Sequence, residues 1–247
     1  SEVEQLNLLF AAADAGITHF DTAPYYGFGL AEKALGQLLA NKPDLTVATK
    51  VGLYPQPLRT GTRAELLGRK AIGRFLPGFA RPVSNFDVQR ARKSLDQSLL
   101  RLRRDHVDLL LIHEPDIARL DGEAWLEWLM EEKGRGRVAA FGLAGEPAAV
   151  EAFVTSHHPI AQVVQTRDSI ENHEADFLLA AGRPLQLTFG YLANSAGKDS
   201  ELLLHSSLLR NATGAIIVST RRPERLRGFA ALMQECGMPQ YLRPGGS

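Results

Sequence analysis

Only one cysteine, Cys236, occurs in 247 residues. Intramolecular disulfides are thereby excluded, a cysteine-rich zinc site has no ligands to draw on, and a reducing, cytoplasmic setting is the expectation. An excess of charge of one sign is missing too. Lys and Arg number 28 against 28 Asp and Glu, which leaves no basic surplus for nucleic acid or a membrane surface. The one basic run, RLRRDH at 101 to 106, reads as a helix end where cations oppose the dipole. No apolar run approaches the roughly 20 residues of a membrane span. Aromatics are sparse, at 7%. Trp125 and Trp128 share one helical stretch and read as helix–sheet packing, not as a base-stacking platform. Metal motifs fail as well. HEPD at 113 to 116 lacks the second histidine of a zincin and holds Pro115 where a helix is needed. His157 and His158 precede Pro159 in a loop without further ligands. No metal site is expected.

What the chain does have is rhythm. Short β-rich runs fall at 17 to 20, 45 to 50, 107 to 113, 138 to 144, 161 to 166, 185 to 190 and 215 to 219. Several are apolar almost throughout, as in strands buried on both faces of a parallel sheet. Amphipathic helices lie between them. Val3, Leu6, Leu9, Phe10 and Ala13 keep helical spacing, with Gly16 following as a C-cap. SNFD at 84 to 87 has the capping-box pattern, ahead of a helix whose Ala91, Leu95, Leu99 and Leu102 share a face. Glu123 to Lys133 reads as another helix, and Pro223 suits the first position of the last one.

Repeated strand–helix units imply right-handed crossovers and a parallel sheet, either doubly wound or closed into a barrel. Seven strands with a helix ahead of the first point to a (β/α)8 barrel lacking its first strand. The expectation is one domain over 1–247, N-terminally incomplete. Residues 51 to 86 form the longest irregular stretch, a length usually tied to function.

In a parallel barrel the carboxyl ends of the strands share one mouth. Asp21, Lys50 and His113 each close a strand, and Tyr26 stands in the loop just beyond Asp21. Asp, Tyr, Lys and His without a nucleophilic Ser or Cys suggest proton transfer. A phenol with a pKa of about 10 is a poor acid near neutrality. A neighbouring lysine lowers that value, and an aspartate holds the lysine charged. A neutral histidine can donate a hydrogen bond to a carbonyl oxygen.

These stretches resemble the aldo-keto reductases, whose (β/α)8 barrel binds a nicotinamide cofactor without a Rossmann domain. The similarity lies in GITHFDTAPYYGFGLAEKALGQLL, VATKVG, SLLRLRRDHVDLLLIHEPD and GRGRVAAFGLAG, with the bacterial aldose-dehydrogenase-like branch nearest. The resemblance implies that Tyr26 is the general acid/base, tuned by Lys50 and Asp21, and that His113 orients the carbonyl. It implies cofactor contacts from Asp21, Gln165, Phe189 and Leu192, with Phe189 standing where a stacking tyrosine is usual. The stretch IIVSTRRPERL matches the phosphate-binding segment, so Thr220, Arg221 and Arg225 would grip phosphate and favour NADP(H), with NAD(H) the alternative. Tyr25 and Tyr54 are expected in the substrate pocket. The substrate is a small carbonyl, alcohol or sugar.

Three departures qualify that match. The first strand here is the family's second. The family's G-x-S-N becomes GLAG at 142 to 145, which removes two side-chain hydrogen-bonding groups near the nicotinamide. Gly228 and Phe229 replace the E-N that often closes the adenine site. A non-catalytic protein of the same fold, binding cofactor weakly, is the alternative reading.

Overall fold

A computed structural model describes residues 2–56, 82–193 and 199–235. Seven parallel strands make one sheet in the order β1 (His19–Asp21), β2 (Thr46–Val51), β5 (Val107–His113), β6 (Val138–Gly145), β7 (Val163–Arg167), β8 (Leu187–Phe189) and β9 (Ala215–Ile217). A short antiparallel pair, β3 (Leu53–Tyr54) and β4 (Val83–Ser84), stands apart from it. Every one of the seven strands falls on an apolar run noted in the sequence, shifted by up to two residues.

The helices α1 (Glu2–Asp14), α2 (Leu30–Asn41), α3 (Val88–Leu102), α4 (Gly122–Gly134), α5 (Pro147–Thr155), α6 (Asp176–Ala180), α7 (Ser200–Arg210) and α8 (Pro223–Glu235) form the outer layer. Among the described residues no pairing joins β9 back to β1. The sheet is thus a (β/α)8 barrel wall one strand short of closing, while α1 packs against α8 across the gap.

Apolar faces drive this arrangement. Leu95, Leu102, Leu110, Ile112, Phe141, Leu143 and Phe153 are fully buried between strands and helices. Each such side chain contributes roughly 1.5–3 kcal/mol relative to exposure. Trp125 and Trp128 are buried in the same layer, the first donating to Phe86 O at 2.8 Å and the second to Glu132 Oε1 at 3.0 Å. Both are packing residues, as their spacing suggested. Close approach of β6 and β7 needs a glycine at 142, where a Cβ would lie 1.8 Å from Val163 O.

The reading of SNFD needs correction. Asp87 itself is the N-cap of α3, accepting from Arg90 N at 2.7 Å, while Ser84 belongs to β4. The helix starts later because Asn85 Oδ1 takes Asp87 N in a local turn at 2.9 Å. The basic run does sit at a helix end: Arg101 lies in the last turn of α3 and bonds the buried Glu32 at 2.6 Å. Most of the irregular stretch after β2, and Cys236, lie outside the described residues.

Candidate active site

Register brings the strand ends level. Asp21 pairs with Ala48, Lys50 with Leu111, His113 with Ala144, and Ala144 with Gln165. Side chains far apart in sequence therefore meet at the carboxyl end of the sheet. There they border a cavity of about 560 Å³ whose wall includes Asp21, Tyr26, Lys50, His113, Gln165, Phe189 and Leu192, a size typical of small-molecule sites.

Lys50 is almost completely buried, and its Nζ donates to Asp21 Oδ2 at 2.5 Å and to Thr22 O at 3.1 Å. Asp21 Oδ1 accepts from Gln165 Nε2 at 2.9 Å. One carboxylate thus ties β1 to β2 on one side and to β7 on the other. The Lys50 charge lies 5.1 Å from the centre of the Tyr26 ring, which meets His113 edge-to-face at 6.0 Å.

Tyr26 opens a 3-10 turn whose Gly27 and Phe28 are left-handed, at φ 59° each. The Tyr26 ring lies over the Lys50 ammonium. Tyr26 is 37% exposed, yet partial burial pushes its phenol above the ordinary value, and the negative charges of Asp21 and Glu114 push the same way. The net direction is upward in spite of Lys50, whose charge is paired with Asp21 and lies beside the ring. At neutral pH the phenol is protonated.

His113 responds in the opposite direction. Burial and the nearby Lys50 charge bring it down to about 4, against the pull of Asp21. The imidazole is neutral at physiological pH, with one nitrogen able to donate. Its Nδ1 is buried without a hydrogen-bond partner among the described residues. An NMR pH titration should find the His113 midpoint near 4; a midpoint above 6 would mean that this environment is not maintained in solution. The native state resists taking up this proton, so its stability falls as pH drops from about 6.5, the free histidine value, towards 4.

The remaining expected residues divide. Phe189 lies at the end of β8 with the Arg167 guanidinium 5.5 Å from its ring centre. Tyr25 packs beside Tyr26, with ring centres 6.4 Å apart, outside the cavity wall. Tyr54 is buried, beneath the Arg90 guanidinium, and borders a second, smaller cavity with Pro24 and Phe28. Thr220 half emerges beyond Ser219, the last residue of the main cavity wall, and its hydroxyl accepts from Arg222 N at 3.0 Å. Arg221 and Arg225 are exposed and follow Ser219 in sequence.

Sequence reasoning missed two groups. Glu114 borders the cavity next to His113; it stood inside HEPD and was set aside with that motif. Asp168 is fully buried, takes Arg210 at 2.6 and 3.0 Å, and accepts from Tyr191 Oη at 2.6 Å. A run of polar residues after β7 was the available signal, but nothing local pairs position 168 with 210. Of the two adenine-side departures, Phe229 has a structural explanation. It is buried against Leu204 and Leu208 of α7.

The Aldo/keto reductase family model matches residues 1–170. The chain belongs to the aldo/keto reductase family. It is 40% identical to a D-threo-aldose 1-dehydrogenase of a Pseudomonas species over 126 residues, 49% of this chain and 37% of that one. To an L-galactose dehydrogenase of Arabidopsis thaliana it is 33% identical over 150 residues, 58% of this chain and 39% of that one. Both names fit the aldose-dehydrogenase-like branch. The matched stretches thus span less than half the length of these two relatives. Among solved structures, an aldo-keto reductase from Bacillus halodurans superposes with a TM-score of 0.72 at 15% identity, covering 95% of this chain and 83% of that one. This family member shares their fold. Among the described residues there is no cluster of metal-ligating side chains, and no helix is long and apolar enough to cross a membrane.

Proposed function

We propose that this chain carries the active site of an NADP(H)-dependent oxidoreductase that interconverts a carbonyl with its alcohol, sugars being the favoured class. The observation that carries this reading is the convergence of Asp21, Tyr26, Lys50 and His113 on one cavity, with Gln165 joined to Asp21. The names of the aldose and galactose dehydrogenases support the substrate class.

The cavity suits a nicotinamide. Phe189 and Leu192 offer apolar surface and Gln165 a polar edge, and the exposed Arg221 and Arg225, which follow Ser219 in sequence, are the cations that would meet the phosphates. A bound nicotinamide supplies or takes the hydride at the substrate carbon. In reduction, Tyr26 gives its phenolic proton to the carbonyl oxygen as negative charge gathers there. The neutral His113 imidazole holds that oxygen by a hydrogen bond. The Lys50–Asp21 pair, tied to Thr22 and Gln165, keeps a cation beside the ring from which the proton leaves. In oxidation the same groups run in reverse.

The alternative, a non-catalytic relative, draws support from the side chains missing at Ala144 and Gly145. Assays of NADPH oxidation with aldehydes and of NADP+ reduction with aldoses separate the two readings. Nucleotide binding without turnover of any carbonyl or alcohol would favour the alternative. Replacing Arg221 and Arg225 together by Ala should weaken NADP+ binding about tenfold or more while leaving NAD+ within about twofold. Equal weakening of both nucleotides would remove the argument for the 2′-phosphate.

A further inference from the structure

Glu114 forms part of the cavity wall together with His113 and Gly145, and the proton transfer proposed above gives it no step. Its backbone is left-handed, at φ 48°, with its N–H bonded to Ala144 O at 2.7 Å. Non-glycine residues adopt that conformation at a cost. Its side chain reaches the residue just beyond β6, where the two carboxylate oxygens share one donor, Glu146 N, at 3.2 and 3.3 Å. A carboxylate has about four acceptor positions, and a single long, shared bond leaves most of them unused. Among the described residues no Lys or Arg pairs with it; the nearby Arg167 is held by Glu146 at 2.7 Å.

Gly145 makes the room. A Cβ there would lie 3.0 Å from Glu114 Oε2, so a side chain at 145 and the Glu114 carboxylate compete for one space. Ala144 and Gly145 are also the positions at which G-x-S-N would have supplied two hydrogen-bonding side chains. Ala144 pairs in register with Gln165, so the missing groups and the Glu114 carboxylate border the same end of the cavity. The chain lacks polar side chains at two positions and places an underused acceptor from a neighbouring strand beside them.

We propose that Glu114 is a cofactor-binding residue, whose carboxylate accepts a hydrogen bond from the amide N–H of the nicotinamide carboxamide in place of the side chains missing at Ala144 and Gly145. The proposal rests on the cavity holding a nicotinamide. It has a second consequence: a carboxylate beside the ring favours the oxidised, cationic nicotinamide over the neutral, reduced one.

Calorimetric titration of this chain with NADP+, NADPH and the 3-acetylpyridine analogue of NADP+ tests it, because the acetyl group has no amide N–H. The wild type should bind NADP+ about tenfold more tightly than the analogue. Glu114→Ala should bring that ratio to about two or less, whereas Glu114→Gln, which keeps an acceptor oxygen, should retain part of it. Both variants should lose preference for NADP+ over NADPH by several-fold. An unchanged ratio in Glu114→Ala overturns the proposal and leaves Glu114 as a brace for the loop at Glu146, with the oxidoreductase reading intact. Should Glu114→Ala fail to fold by circular dichroism, Glu114→Gln decides: an unchanged NADP+/NADPH preference overturns the proposal. If the wild type binds none of the three nucleotides at millimolar concentration, the nicotinamide reading falls and the role of Glu114 falls with it.

Discussion

Tyr26→Phe should lower kcat by a factor of about a thousand or more while NADPH affinity changes by less than about twofold. General acid–base groups typically contribute about 10²–10⁴-fold, and the Tyr26 ring stands beside both Lys50 and His113. The substitution removes one oxygen and leaves the ring, so its edge-to-face contact with His113 and its place over Lys50 persist. Steady-state turnover with a paired binding titration measures both quantities. A variant as fast as the wild type would take the acid/base role away from Tyr26. A variant that also loses nucleotide binding would mark the hydroxyl as part of the cofactor site.

The largest expected effect on stability lies at Asp168. Its carboxylate is fully buried and holds Arg210 through two hydrogen bonds, the Tyr191 hydroxyl, and Ala175 N at 3.2 Å. Its backbone N–H also bonds Phe189 O at 2.8 Å. Asp168→Ala leaves Arg210, itself mostly buried, with only Asp176 at 2.7 Å as a described partner. Removing one partner of a buried pair costs about 3–5 kcal/mol, to be read as a lower midpoint in urea unfolding. Because Phe189 and Tyr191 border the cavity, weaker cofactor binding should accompany the loss. A midpoint within about 1 kcal/mol of the wild type would show that the network is dispensable.

The same group sets a pH dependence. Burial alone would raise the Asp168 carboxyl, but hydrogen bonds from Arg210 and Tyr191 overcome it and hold the group below the ordinary aspartate value. A depressed folded-state value means that this stabilisation is fully present above about pH 4, the unfolded value. It is lost as pH falls through the lower folded value. Acid unfolding of Asp168→Asn should therefore be less steep below about pH 4 than that of the wild type.

Much of this is legible in the sequence alone. Parallel strands buried on both faces need near-continuous apolar runs, and runs such as VDLLLIH became β5 with its boundaries unchanged. The placing of Asp21, Lys50 and His113 at strand ends followed from the same pattern, because all parallel strands end at one face. Tyr54 shows where such reading stops. Knowing that a residue follows β2 does not say which side its ring will take, and packing under Arg90 turned it towards the second cavity. The start of α3 turned on a local competition between Asn85 and the capping-box pattern, which spacing does not rank.

Periodicity, which reports local burial, determined the order of elements, the parallel sheet and the set of polar residues at its carboxyl end. Tertiary structure alone decided the interactions between those residues. Asp21 neutralises Lys50, and burial then drives the Tyr26 phenol up and His113 down. Glu114 lies next to Gly145, and Asp168 grips a residue 42 positions away. A hydrogen bond or a desolvation cost depends on distances of a few ångströms between strands, and a linear sequence carries no such distances.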